Sequence, residues 1–93
     1  MHQAKWNDTV IAESADTISL EGNIYFPPDA LRSEHFRASS NKSVCPWKGL
    51  ASYYDVVVNG DVNRSAAWTY PDPSPAALEI KNYVAFWNGV QVT

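Results

Sequence analysis

Residues 50–60, LASYYDVVVNG, constrain this chain more than any other stretch. Tyr54, Val56 and Val58 alternate with Tyr53, Asp55 and Val57, the pattern of a strand with one buried face. Asn59-Gly60 follows at once. Both residues tolerate positive φ, so the pair predicts a type I′ turn and a chain that returns antiparallel to the strand it has just left. The return strand ends in AAWTYP, with Ala66, Trp68 and Tyr70 on one face. A chain organised round such a hairpin is committed to antiparallel sheet.

The same period recurs elsewhere. TVIAES sets Val10 and Ala12 against Ile11 and Glu13 and reads as a first strand. In DTISLEGNIYF, Ile18 and Leu20 share a face, Glu21-Gly22-Asn23 breaks the run, and Ile24 to Phe26 resume it. Two short strands joined by a tight turn are expected. Pro27-Pro28 ends their pairing, because neither residue donates a backbone hydrogen bond. DALRSEHFRA is expected to form one or two helical turns begun by Pro28 or Asp29. SSNKSVCPWKG reads as a loop closed by Gly49. PDPSPAALEIKNY reads as a proline-rich connection into a short helix, with Ser74 as N-cap and Pro75 as the first helical residue. YVAFW is a strand, and Asn88-Gly89 offers a second tight turn into VQV. The whole predicts a single β-rich domain over 1–93, without repeats and without a linker long enough to divide it.

Composition narrows the function classes. Of the 93 residues 45% are apolar and 13% aromatic, including four Trp and five Tyr, enough to build a core that offsets the entropy of ordering the chain. A net charge of −3 has the wrong sign for a phosphate backbone, so no nucleic-acid partner is expected. No apolar stretch approaches the roughly 20 residues of a membrane span, and MHQAKWNDTV has no signal-like segment. No membrane partner is expected, and the expected compartment is the cytoplasm. Cys45 is the only thiol, which excludes an intramolecular disulfide. With His2 and His35 it supplies too few soft ligands for a closed zinc site, which needs about four. Neither a metal nor another cofactor is expected.

Five segments, IAES, YFPP, CPWKGLASYYDV, AAWTYPDP and YVAF, occur in that order at close spacing. Together they resemble the small bacterial and fungal family labelled domain of unknown function 427, sometimes filed under a nucleotidyltransferase heading. The resemblance runs from about Trp6 to the end. Asn7 follows Trp6 where a glycine is frequent, Ser43 stands for a threonine, and Trp87 for a tyrosine. Ser43 keeps the hydroxyl and Trp87 the ring, so the departure in kind is at the first turn. The resemblance implies a mainly β fold of the β-tent type, two small antiparallel sheets meeting at an angle with one or two short helices, as in methionine sulfoxide reductase B and the ligand-binding domain of cereblon. Those proteins usually carry zinc on paired Cys-x-x-Cys motifs. This chain has no such motif and no second thiol, so a version without zinc is implied, and kinship of fold lends it no reaction.

The candidate site residues cluster round Cys45-Pro46-Trp47-Lys48. Lys48 could stabilise a thiolate at Cys45 and make it nucleophilic. Unpaired cysteines are also among the most buried residues, and packing is the preferred reading for Cys45. Lys48-Gly49 departs from the Lys-x-Asp-Gly of enzymes that form a lysine–nucleotide bond, and no acidic cluster stands ready for Mg²⁺. Glu13 lies mid-strand, where an inward carboxylate needs a counter-charge from Lys48 or Arg37. The expectation is a Glu13–Lys48 ion pair that lays the CPWKG loop over the first strand. Trp47, Tyr53, Trp68 and Tyr70 either line a pocket or fill the core. The resulting expectation is a module that binds a small molecule or peptide in an aromatic-lined pocket, with Glu13 and Lys48 as polar anchors. A structural or interaction domain is the alternative, and an enzyme with Cys45 as nucleophile ranks behind both. Exposed sheet edges leave a homodimer open.

Overall fold

A computed structural model describes all residues from 1 to 93. In chain order it contains β1 (His2–Trp6), β2 (Thr9–Ser14), β3 (Ile18–Leu20), β4 (Asn23–Tyr25), β5 (Phe36–Cys45), β6 (Gly49–Val58), β7 (Asp61–Thr69), β8 (Val84–Phe86) and β9 (Gln91–Val92). Short 3₁₀ segments occupy Pro28–Ala30, Ser33–His35 and Pro75–Ile80. No helix is long and apolar enough to cross a membrane.

The strands pair antiparallel in the orders β2-β1-β9, β3-β4 and β5-β6-β7-β8. Phe26 carries the β3–β4 ribbon onto the free side of β8. Its N–H donates to the Val84 carbonyl and Val84 N–H donates back, each at 2.8 Å. The ribbon thereby extends the larger sheet. At the other side of the molecule β1 is completed by β9, and Gln3 and Thr93 exchange two backbone hydrogen bonds of 3.0 Å.

The core has two parts on opposite faces of the larger sheet. Ala4, Ile11 and Ala12 from the three-stranded sheet pack with Phe26, Val56, Val58, Ala66, Ala67, Val84 and Phe86. Tyr25, Ala51, Tyr70, Ala77, Ile80 and Ala85 form the second cluster. In β8, Val84 and Phe86 face the first and Ala85 the second, as a period of two requires.

The Asn-Gly turns follow their expected chemistry, one closing the β6–β7 hairpin and the other leading from β8 to β9 in the three-stranded sheet. Asn59 and Gly60 have φ of 50° and 83°, and Asn88 and Gly89 have 57° and 93°. At the β1–β2 turn, Asn7 and Asp8 adopt φ of 50° and 59°, so the missing glycine is replaced by residues whose short polar side chains tolerate that region.

Three readings of the sequence are corrected. The segment taken as a loop from Ser39 is strand as far as Cys45, and only Pro46-Trp47-Lys48 form the connection, because Cys45 and Gly49 pair across the hairpin. The one or two helical turns expected in DALRSEHFRA are present, as two 3₁₀ turns of which the first begins at Pro28, and the stretch runs on into β5. His2–Trp6, unassigned from sequence, is the central strand of its sheet. Ser74 does precede a short 3₁₀ segment with Pro75 at its start, but its hydroxyl donates to the Trp47 carbonyl instead of capping it.

β6 is flanked by two bulges. Ser39, Ser40 and Asn41 of β5 stand opposite Tyr53 alone, and Arg64, Ser65 and Ala66 of β7 stand opposite Asp55 alone. The β7 bulge breaks the alternation, so that Ala66 and Ala67 both enter the first cluster while Trp68 turns to the second.

Candidate functional site: a lysine at the foot of an aromatic cavity

The turn between β5 and β6 is held from below. Ser74 donates its N–H to the Lys48 carbonyl at 2.9 Å and its hydroxyl to the Trp47 carbonyl. Gly49 has φ of 115°, and a Cβ there would lie 3.5–3.6 Å from the backbone of Asp72, Pro73 and Ser74. The space would admit a Cβ in ordinary contact, and it is the backbone angle that calls for glycine. The Lys48 side chain is thereby directed inward and is 7% exposed.

The Lys48 ammonium meets three partners. Its Nζ lies 5.3 Å from the Trp47 ring centroid and 5.6 Å from that of Tyr70, within cation–π range. It also forms an ion pair with Glu21, which accepts a further hydrogen bond from Trp47 Nε1 at 3.2 Å. Glu21 and Gly22 are the central residues of the β3–β4 turn, with φ of 52° and 79°. The turns that begin at Asn7, Asn59 and Asn88 carry asparagine in the same left-handed conformation, and a left-handed glutamate costs about 1–2 kcal/mol. The contacts to Lys48 and Trp47 offset that cost and hold the ribbon over the turn.

Above Lys48 opens a cavity of about 250 Å³. Its walls are Tyr25 and Asn23 of the ribbon, Tyr53 of β6, Trp68 and Tyr70 of β7 and the residues after it, and Trp87 beyond β8. Trp68 stands edge-on to Tyr25 and to Trp87, with centroids 6.3 and 6.4 Å away. Its Nε1 donates to the Tyr25 hydroxyl at 3.3 Å. Trp87 is fixed by a 2.6 Å hydrogen bond from its indole to the carbonyl of Ser65. Ser43 and Tyr53 share a hydroxyl contact of 2.9 Å. The rings are tied to one another and to the backbone before any ligand arrives.

Charge in this cavity is set by burial and pairing. Burial pulls the Lys48 ammonium down, but the hydrogen bond to Glu21, with the negative potential of Tyr25, Tyr70 and Cys45, outweighs it, and the net shift is upward. Lys48 is thus held as a cation. The hydrogen bonds from Lys48 and then Trp47 hold the Glu21 carboxyl below its ordinary value. Burial raises the Tyr70 phenol although Lys48 acts the other way.

These directions fix a pH dependence. Glu21 stabilises the fold above the ordinary carboxylate range, and that contribution is lost as pH falls through its lowered folded value. Lys48 and Tyr70 contribute fully below about pH 10, and their contributions are lost as pH rises through their raised folded values. Glu21→Gln is therefore expected to lower stability modestly on a plateau between about pH 5 and 10, and the difference from the parent should vanish in acid. Urea denaturation at several pH values checks this, and a difference that persists at pH 2 contradicts it.

Lys48, Tyr53, Trp68 and Tyr70, named from sequence, meet at this cavity. Trp47 lies against the Lys48 ammonium, 39% exposed, and does not line the cavity. Cys45 is half-buried and packs against the second cluster. Neither imidazole attends it: His2 Nδ1 is 2.8 Å from the Thr17 hydroxyl and His35 Nδ1 is 2.8 Å from the Val57 carbonyl. Glu13 is elsewhere. Its carboxylate accepts from Gln3, its cross-strand partner in β1, and the expected Glu13–Lys48 pair is replaced by Glu21–Lys48. Arg37 pairs with Asp55, not Glu13. Sequence reasoning also missed Tyr25, Trp87 and Glu21. The one available signal was Glu-Gly in a hairpin turn where Asn-Gly is usual. No three His, Cys, Asp or Glu side chains converge as metal ligands.

Fold and cavity together define a small antiparallel β domain with a paired lysine beneath a cluster of aromatic rings. The family model described as domain of unknown function (DUF427) matches residues 1–93, the whole chain, and the protein belongs to that family. No curated protein matches it.

Proposed function

We propose that the aromatic cavity binds a small planar ligand through a group that accepts hydrogen bonds or carries negative charge. The observation behind this reading is Lys48, a charged ammonium 7% exposed at the foot of a cavity with five aromatic walls. Ring faces favour a flat ligand by stacking. The lysine favours an anionic or carbonyl end, and the hydrogen bonds that fix Trp68 on Tyr25, Trp87 on the Ser65 carbonyl and Tyr53 on Ser43 lower the cost of ordering the site. At about 250 Å³ the cavity suits a single ring or one peptide side chain better than a drug-sized molecule. Catalysis through Cys45 is not part of the reading, since the thiol belongs to the packing beneath and both imidazoles are engaged elsewhere.

A panel of single-ring aromatic and heteroaromatic carboxylates, titrated into ¹⁵N-labelled protein, tests it. Binders are expected to move the indole N–H signals of Trp68 and Trp87. Trp68→Ala should weaken them by about tenfold or more, the usual range for loss of a stacking ring. Shifts scattered away from these rings, or unchanged affinity in Trp68→Ala, would refute the reading.

A further inference from the structure

The two bulges beside β6 meet over Asp55. Ser39 Oγ lies 2.9 Å from Ser65 Oγ, and Asn41 Nδ2 donates to Ser65 Oγ at 2.7 Å. Ser65 is 9% exposed with φ of 53°, a left-handed conformation that a buried serine adopts only when its surroundings enforce it. Between the bulges lies a polar cavity of about 370 Å³, which shares no residue with the aromatic one.

A bulge on β7 suffices to re-aim Trp68. The bulge on β5 has no such use: β5 is an edge strand, and none of Ser39, Ser40 and Asn41 is buried. What the second bulge does is help enclose this cavity.

The chemistry of the lining is one-sided. Asp55 is 7% exposed and both its oxygens are engaged, Oδ1 by Ser65 N–H at 2.8 Å and Oδ2 by Arg37 at 3.3 Å. Arg64 lines the cavity and no carboxylate pairs with it. Arg37, its side chain 57% exposed, pairs with Asp55 from outside the lining. The cavity wall thus holds one unpaired guanidinium, Arg64, and one carboxylate whose oxygens are both engaged.

We propose that this cavity is a second binding site, for a small polar molecule bearing an oxyanion. The anionic group sits on Arg64, whose planar donor array suits phosphate or carboxylate. Hydroxyls of the same molecule reach Ser40 and Asn41.

Titration of ¹⁵N-labelled protein with glycerol 3-phosphate, inorganic phosphate and glycerol tests the proposal. The backbone amides of Ser65 and Asn41, one on each bulge and neither on the aromatic cavity, report occupancy. Both phosphate compounds are expected to shift these signals, and glycerol is not. Arg64→Gln, on the surface, should weaken both by about tenfold, the range for a lost charged hydrogen bond. Trp68→Ala should leave them unchanged, which separates this site from the aromatic cavity. An ester tighter than inorganic phosphate assigns a phosphorylated polyol; equal affinities assign the free oxyanion. Silence at Ser65 up to saturating phosphate overturns the proposal. So do an equal response to glycerol, an unchanged affinity in Arg64→Gln, or shifts confined to the aromatic cavity.

Discussion

Phe26→Ala is expected to remove about 3–5 kcal/mol of stability, the range for truncating a fully buried aromatic side chain. For a 93-residue domain the whole margin is roughly 5–14 kcal/mol, so this variant stands near the limit of folding. The effect is large because Phe26 is 0% exposed and meets Phe86 edge-on at 5.5 Å between the two sheets. Its two backbone bonds to Val84 survive the substitution, so the ribbon stays attached over a cavity that nothing fills. Phe26→Leu keeps most of the volume and should cost much less, about 1.5 kcal/mol or under. Urea denaturation measures both, and a loss below about 1 kcal/mol for the alanine variant would show that the neighbours collapse into the space.

Asp55→Ala should cost about 2–3 kcal/mol, for a different reason. The substitution strands the Ser65 N–H inside the bulge and leaves a strained left-handed serine without its support. Arg37 is the smaller part of the loss, because its guanidinium returns to water. The control is therefore Arg37→Ala, expected at under about 1 kcal/mol. Asp55→Asn retains an acceptor for the Ser65 amide and should recover a good part of the difference. Equal losses for Asp55→Ala and Arg37→Ala would place the stabilisation in the ion pair and not in the bulge.

Those two residues also mark what sequence could disclose. Strands with one face in the core announce themselves, and β2, β4, β6 and β8 each carry apolar residues at a spacing set by burial. The Asn-Gly turns were legible because only certain residues accept their backbone angles. β5 was not legible. It lies at the edge of its sheet, is mostly exposed, and is held through backbone bonds to β6 that leave no mark on side-chain pattern. Asp55 was read as the outward face of an alternating strand, whereas the bulges on either side fold over it. At the cavity, Lys48, Tyr53, Trp68 and Tyr70 could be named by residue type, but the partner of Lys48 could not. Glu13 and Glu21 are both carboxylates near strands, and the choice between them depends on where the β3–β4 ribbon attaches, a long-range fact.

The pairing of Gln3 with Thr93 sets an order on the making of the domain. β5 to β8 form a meander of neighbours in sequence, and such local contacts close quickly. β1, the middle strand of its sheet, leaves the ribosome before the rest of the domain and waits for β9, which leaves last. Through that interval β1 lacks its β9 flank, and Ala4, Ile11 and Ala12 can meet Phe26 and Leu31 but not yet Val56, Val58, Ala66, Ala67, Val84 and Phe86. Within this domain the β1–β2 hairpin therefore stays only partly covered until β6 to β8 are made, and β9 closes the sheet that β1 opens.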